Sequence, residues 1–318
     1  MVTYSSLLFI FDYFLALYFY LTKVYRLFIF LFYILIATSI TGCFGRFVMT
    51  EKELRTYYAN KPKPSFFTIQ NDSVKLFCAT AGSDTLPPLL LIHGAPGAWY
   101  GSRNFLEDSL LQSRFHIIAA DRFGYNKSRF KNKRRAVTSK QTQAIALHEA
   151  LLLNRSNKTA IVVGSSYGAP IAANMAIMYP NEFHHLVMLA GAIDPSIEKF
   201  WWFSTLIKHG PIKWMLPHFF RSSTNEKNTH IKELQALLPK WKSLTVPTTV
   251  IQGGADKIVN PANIDFAREQ LKNKPAAFIF IPEAGHLIRW QYPDLVKRIL
   301  IASLPDTTPL PITTSGHR

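Results

Sequence analysis

The sequence predicts an α/β protein whose mostly parallel sheet is covered by helices on both faces. Three observations carry that prediction. Short, continuous apolar runs recur along the chain, helical stretches separate them, and one long strand-free interval interrupts the alternation late in the sequence. The continuous runs matter because a strand buried on both faces has no polar side to alternate with.

The first pair of runs, Phe66 to Gln70 and Val74 to Thr80, reads as a leading hairpin around Asn71-Asp72-Ser73. Pro88 to His93, Phe115 to Ala120, Thr159 to Gly164, Leu186 to Ala190, Thr248 to Gly253 and Ala277 to Ile281 then read as buried strands. Between them, 140–153 and 168–179 have helical character, and 290–303 closes the domain as a helix. Between Ala190 and Val246 there is no strand run, but Trp201, Trp202, Phe203, Trp214, Phe219, Phe220 and Trp241 fall there. A mostly helical insertion over 191–245 is expected to form a lid above the carboxyl edge of the sheet, where open α/β sheets bind ligands. Most of its aromatics should pack the insertion onto the core, with one or two lining a pocket.

The N-terminal part is a separate unit. Leu7 to Leu21 is apolar except for Asp12, Lys23 and Arg26 follow, and a second apolar run extends from Leu27 to Ile40. Each run is shorter than the roughly 20 residues that span a bilayer comfortably. A positive pair before a short apolar stretch and small residues has the form of a secretory signal. Residues 1–42 are therefore expected to be a signal peptide or membrane anchor, 43–65 a linker stiffened by Lys61-Pro62-Lys63-Pro64, and 66–190 with 246–304 the core. A mobile tail is expected over 305–318. Ile40-Thr41-Gly42-Cys43 resembles the bacterial lipobox, which implies Cys43 as the lipidated mature N-terminus in the bacterial cell envelope. The first run does not suit a lipoprotein signal, so a start near Val24 is one expectation and an uncleaved anchor with an incidental Cys43 is the other.

Composition narrows the classes. The formal net charge of the 318 residues is +16; residues 1–42 contribute +1 through Lys23, Arg26 and Asp12, which leaves +15 for the rest. That excess is read as a solvated basic surface, as is Lys131, Lys133, Arg134 and Arg135; a site for anionic lipid or substrate is the sharper alternative. No nucleic-acid fold signature is present, and no Cys/His cluster has metal-ligand spacing, so neither nucleic acid, metal nor cofactor is implied. The second cysteine, Cys78, reads as an inert strand residue.

The chemistry-bearing motifs all follow strands. Gly164-Ser165-Ser166-Tyr167-Gly168 sits between a buried strand and a helical run, the context in which a G-x-S-x-G turn lifts a serine nucleophile above the sheet. His93-Gly94-Ala95-Pro96-Gly97 follows an earlier strand, and such a loop supplies one oxyanion-hole amide while the residue after the nucleophile supplies the other: Ala95 and Tyr167. His93 is then a loop-shaping residue. His286, after the last strand, is the expected base, and Asp256, in Gly253-Gly254-Ala255-Asp256-Lys257, the acid that orients it, giving the order Ser, Asp, His. Asp194 is the rival acid, because it too follows a sheet strand; His148, His184 and His185 read as surface or packing residues.

Taken together, the motifs around His93, Asp121 to Ser128, Ser166, Asp256 and His286 resemble the α/β-hydrolase superfamily over about residues 66–303. The resemblance implies an eight-stranded sheet and a helical lid. It is nearest to the branch that holds epoxide hydrolases, haloalkane dehalogenases, C–C bond hydrolases, proline iminopeptidases and small esterases. Serine at 166 argues against the first two, whose nucleophile is aspartate. Asn126 stands where relatives often have glycine and Gln291 where they often have glutamate; both bear on loop packing. The implied activity is hydrolysis through a Ser166 acyl-enzyme of a small-molecule substrate, a carboxylic ester with an apolar group. Amide, aminoacyl or C–C bond hydrolysis is the alternative with the same machinery. A non-catalytic binding module is the alternative of another class, which the complete set Ser166, Asp256 and His286 disfavours.

Overall fold

The computed structural model describes residues 4–44, 48–133, 135–198 and 216–305. Its centre is a nine-stranded sheet: β1 Ser65–Gln70, β2 Val74–Ala81, β3 Pro88–Ile92, β4 His116–Ala120, β5 Arg129–Phe130, β6 Ala160–Ser165, β7 Phe183–Leu189, β8 Thr248–Gly253 and β9 Ala276–Ile281. The spatial order is β1-β2-β4-β3-β6-β7-β8-β9, with β5 paired to β2 beside that path. The expected count of eight is thus exceeded by the two-residue β5, too short to carry any periodic signal. β1 and β2 form the expected hairpin and β2 meets β4 antiparallel, while β3, β4, β6, β7, β8 and β9 run parallel.

Each central strand feeds two cores at once. Along β3, Leu90 and Ile92 enter one hydrophobic cluster and Leu89 and Leu91 the other, as the two-residue strand period requires. This double burial is why the strands read as unbroken apolar runs. Ten helices surround or precede the sheet among the described residues: α1 Tyr4–Phe44, α2 Glu51–Tyr57, α3 Arg103–Leu106, α4 Ser109–Gln112, α5 Lys140–His148, α6 Ala169–Met178, α7 His218–Leu237, α8 Asn263–Gln270, α9 Ile288–Gln291 and α10 Pro293–Ala302. Helix α6 is buried almost throughout, and with four alanines it packs closely on β6: a Cβ on Gly164 would lie 2.6 Å from the Ala169 Cα.

The two N-terminal apolar runs form one continuous helix, α1, rather than two segments. Lys23 and Arg26 do not interrupt it because both are good helix formers. At 1.5 Å per residue its 41 residues extend about 60 Å, roughly twice a bilayer's hydrocarbon thickness. Leu17–Leu35, with mean hydropathy 1.4, is long and apolar enough to cross a membrane. Helix α2 starts with a capping box: the Thr50 hydroxyl accepts from the Glu53 amide and the Glu53 carboxylate accepts from the Thr50 amide.

In the interval between β7 and β8 the described part is dominated by the 20-residue α7. Trp201, Trp202, Phe203 and Trp214 lie outside the described residues, as do Arg134 and the segment 306–318. Trp241 is core: it is 1% exposed and meets Phe266 edge to face at 6.0 Å. Phe220, also buried, faces a cavity at the sheet edge.

One ion pair ties α7 to the loops above the sheet. The Arg122 guanidinium donates to both Glu226 oxygens, and neither side chain has any exposed surface. Glu226 also accepts from Tyr125 Oη at 2.6 Å and Gln143 Nε2 at 2.9 Å, so its lone pairs are spoken for. Such a pair contributes little over an apolar replacement, but removing one member strands a buried charge at a cost of about 3–5 kcal/mol. Glu226→Ala is therefore expected to lower the unfolding free energy by about 3–5 kcal/mol in chemical denaturation, and an Arg122→Met/Glu226→Leu double variant to recover most of that loss.

Candidate active site

Strand order brings the predicted residues together. β3 lies between β4 and β6, so the connections leave this point in opposite directions and open a crevice at the carboxyl ends of β3 and β6. The loop after β3 and the turn after β6 are consequently neighbours. Their approach is close: a Cβ on Gly168 would lie 2.6 Å from the Ile92 carbonyl oxygen, and one on Gly94 would lie 3.0 Å from the Ser166 Cβ. Glycine at both positions is what allows the two turns to meet.

Ser166 follows β6 directly and has φ of +53°, a left-handed conformation that is costly for a residue with a Cβ. Ser165 at the end of β6 is extended and Ala169 opens α6, so Ser166 stands at the reversal itself. Ser166 and His286 line one cavity of about 90 Å³ with Gly94, Ala95 and Leu189. The Ser166 hydroxyl makes no hydrogen bond to another side chain among the described residues. Ala95 and Tyr167, the two expected amide donors, flank the serine in the cavity walls, and among the described residues neither N–H has an acceptor.

Asp256 and His286 come from the loops after β8 and β9, which are parallel neighbours. The Asp256 Oδ2 accepts from His286 Nδ1 at 2.8 Å. Its Oδ1 accepts from the Ile258 and Val259 amides at 2.8 and 2.9 Å, and Gln252 Nε2 donates to Oδ2 at 3.3 Å. Burial by itself would raise the Asp256 pKa; the hydrogen bond and charge of His286 and the two amides outweigh it and hold the carboxyl below its ordinary value. An ionised Asp256 fixes the His286 Nδ1–H tautomer and leaves Nε2 as the basic nitrogen. Gln291 Oε1 accepts from the Gly285 amide at 2.9 Å, bracing the turn just before His286, a task that glutamine performs as well as the expected glutamate.

The rival acid goes elsewhere. Asp194 accepts from the Ser196 amide and hydroxyl within its own turn. His148 pairs with Glu182 and stacks on Tyr179, and His185 bonds Thr249. His93 is a bridge between loops: its Nδ1 donates to the Gly94 carbonyl at 2.7 Å and its Nε2 accepts from the Arg122 amide at 2.9 Å. Burial, reinforced by Arg122, holds its pKa well below normal, so it is neutral. Asn126 takes φ of +38°, which asparagine tolerates, and its Nδ2 donates to Asp121. Lys131, Lys133 and Arg135 are exposed beyond β5 and line neither cavity, and Cys78 is a buried strand thiol that burial keeps protonated.

Several residues at the site have no sequence motif. A larger cavity of about 760 Å³ opens beside Ser166, lined by Met49, Tyr100, Phe220, Leu287 and Trp290 together with polar Glu198, Lys227 and His230. Arg289 lines both cavities and donates to the Ser165 hydroxyl at 3.2 Å. Beneath Tyr167, the Lys140 ammonium lies 4.1 Å from the ring centroid and has no hydrogen-bond partner among the described residues. Burial, only partly offset by Glu226 and Glu233, pushes its pKa down to about 7. The unfolded chain then binds the extra proton between pH 7 and the ordinary lysine value, so this group makes stability rise with pH across that window. The thermal midpoint of the native protein is expected to climb from pH 7 to 10 more steeply than that of Lys140→Met, measured by differential scanning calorimetry.

Comparison with known proteins places this architecture. A family model for the alpha/beta hydrolase fold matches residues 87–230. The AB hydrolase superfamily protein YfhM of Bacillus subtilis is 23% identical over 286 residues, covering 74% of this chain and 96% of that protein. Epoxide hydrolase 4 of Mus musculus is 20% identical over 292 residues, covering 76% and 80%. Among solved structures, a bacterial membrane phospholipase A superposes with a TM-score of 0.60 at 19% identity, covering 92% of this chain and 97% of that one. The thioesterase domain of the curacin biosynthetic pathway superposes with a TM-score of 0.56 at 17% identity, covering 76% and 100%. Fold, strand order and family model agree: the chain has the α/β-hydrolase fold.

Proposed function

We propose that the protein is a serine hydrolase that cleaves carboxylic esters bearing an apolar group. The observation that carries the reading is the left-handed Ser166, lining one cavity with a histidine whose Nδ1 is held by a buried carboxylate. In this reading His286 Nε2 removes the Ser166 proton as Oγ attacks the ester carbonyl. The tetrahedral oxyanion is met by the Ala95 and Tyr167 amides, each worth about 3 kcal/mol of transition-state stabilisation. His286 then returns the proton to the departing alcohol, leaving an acyl-enzyme. Water, deprotonated by the same nitrogen, releases the acid and restores Ser166. Asp256 stays ionised throughout and stabilises the imidazolium. Apolar side chains of Met49, Phe220, Leu287 and Trp290 support an aliphatic or aromatic group on the substrate.

An amide or C–C bond substrate uses the same steps. The absence of a preformed Ser166–His286 hydrogen bond suits any of them, because apo sites of this kind tighten on binding. A fluorophosphonate is expected to label Ser166 and to fail with Ser166→Ala. Ester turnover should fall by roughly 10³-fold or more in Ser166→Ala, and by about 10⁴-fold in kcat in Asp256→Asn, whose amide no longer fixes the tautomer. Unlabelled Ser166 in folded protein would overturn the hydrolase reading.

We further propose that the chain works at a membrane through its N-terminal segment, with Cys43 as the site of lipidation in a bacterial cell envelope. The lipobox-like Ile40-Thr41-Gly42-Cys43 supports acylation, and a multiply acylated cysteine binds firmly at about 0.8 kcal/mol per buried CH₂. Intact mass of the native protein is expected to show a chain starting at Cys43 with added acyl mass. An unmodified chain starting at Met1 would replace this by an uncleaved helical anchor.

A further inference from the structure

The larger cavity contains two guanidinium groups that no carboxylate among the described residues neutralises. Arg103 lies on α3 and Arg289 on α9, and both line the cavity beside Ser166. Among the described residues, neither forms an ion pair with a carboxylate. Arg103 spends one nitrogen, Nη1, on the Tyr100 carbonyl at 3.1 Å and the Met49 sulfur at 3.6 Å. Its plane is held over the rings of Trp290 and Tyr57, at 4.6 and 5.1 Å from their centroids. Among the described residues Arg289 spends only Nη1, on the Ser165 hydroxyl. Among the described residues the Nε of each is buried with no partner, and no hydrogen bond is made by either Nη2.

Two features show that this is a built arrangement rather than a pair of stray side chains. Gly101 stands against Arg289, and a Cβ there would come to 3.1 Å from Nη2, so the bare backbone leaves that nitrogen open. The two cations also act on one another: burial, and then the charge of Arg103, push the pKa of Arg289 down to about 10. Guanidinium keeps its proton at neutral pH, so deprotonation gives no relief. An anion does, and the planar fork of donors matches the two oxygens of a carboxylate or phosphate. The cavity's own carboxylate, Glu198, is already paired with Lys227.

We propose that Arg103 and Arg289 form a subsite for an anionic oxyacid group, phosphate or carboxylate, carried by the ester that Ser166 attacks. The proposal rests on the hydrolase reading and narrows its substrate class to amphiphilic esters, apolar on one side and anionic on the other. Arg289 reaches the smaller cavity that holds Ser166 and His286, so the anion sits next to the scissile bond. Met49, which contacts Arg103, is six residues from Cys43 and five from the end of α1. Whether helix or acyl chain is the tether, that spacing limits the subsite to roughly 20 Å of chain from the membrane-bound segment. A phosphate on a lipid headgroup and a carboxylate on a soluble acid share this chemistry.

Two matched substrate pairs separate those sources: 4-nitrophenyl hemisuccinate against 4-nitrophenyl butyrate, and lysophosphatidylglycerol against monoacylglycerol in mixed micelles. The ratio of kcat/KM for the anionic over the neutral member is expected to fall by about tenfold or more in Arg103→Gln and in Arg289→Gln, chiefly through KM. Arg114→Gln, at an exposed arginine, should leave the ratios where they are. A fall in the lipid pair identifies a headgroup phosphate, and a fall confined to the soluble pair identifies a free carboxylate. Ratios that stay within about twofold in both pairs and both variants overturn the proposal. If Arg289→Gln does not fold, Arg289→Lys, which keeps the charge without the fork, takes its place. Calorimetric binding of hemisuccinate and of glycerol 3-phosphate to Ser166→Ala, with and without Arg103→Gln, reads the subsite without turnover. Arginine-dependent binding together with an unlabelled Ser166 would sink the hydrolase reading and leave the anion site standing.

Discussion

Where β3 and β6 end side by side, two turns approach until backbone meets backbone, and the geometry of the site follows from that contact. Gly168 packs on the Ile92 carbonyl at a separation that excludes a Cβ, and Gly94 packs tightly on Ser166, where a Cβ would fit only if its neighbours gave way. The left-handed turn at Ser166 is sustained because α6, almost wholly buried, and β6 hold it from both sides. Its cost, of order 1–3 kcal/mol, is met by the packing of the surrounding elements. Arg122 then fastens the loop after β3 by donating to the His93 and Gly94 carbonyls while it pairs with Glu226 on α7. Loop, turn and α7 are thereby one mechanical unit.

The electrostatics of the site are dominated by cations, Arg122 and Lys140 buried and Arg103 and Arg289 half-buried. Arg122 is matched by Glu226, but Lys140 under the Tyr167 ring, and Arg103 with Arg289 beside Ser166, have no ion-pair partner among the described residues. Charge left unmatched inside a folded protein is expensive, and it persists where a ligand or a reaction makes use of it. In the proposed hydrolase, a positive field near Ser166 would favour the development of negative charge on a carbonyl oxygen. It would also favour substrates that bring an anion with them.

The N-terminal segment and the cavity are close neighbours in the chain. α1 is long enough to cross a bilayer, and within a few residues of its end Met49 contributes to the cavity wall. In the proposed membrane-bound form, so short a tether would restrict which face of the domain can turn toward a lipid surface. The apolar lining and the arginine pair are consistent with an interfacial substrate, one end of which resembles lipid and the other a headgroup.

The continuous apolar runs determined the sheet, because a strand buried on both faces leaves that mark whatever surrounds it. The strand-following positions of Ser166, Asp256 and His286 determined which side chains lie at the carboxyl edge, since each stands just past a run that could be read directly. The two-residue β5 and the continuity of α1 across Lys23 and Arg26 were not legible. One is too short to have a period, and in the other the helix-forming tendency of the charged pair outweighs the break in hydropathy. The choice of Asp256 over Asp194 as the partner of His286 was settled in three dimensions, where β8 and β9 run side by side and Asp194 is taken up by its own turn. Arg289, Arg103, Lys140 and Glu226 belong wholly to the tertiary structure. Nothing local distinguishes them from solvated surface charges, because what sets them apart is the low-dielectric packing around them and the presence or absence of a counter-charge contributed from distant parts of the chain.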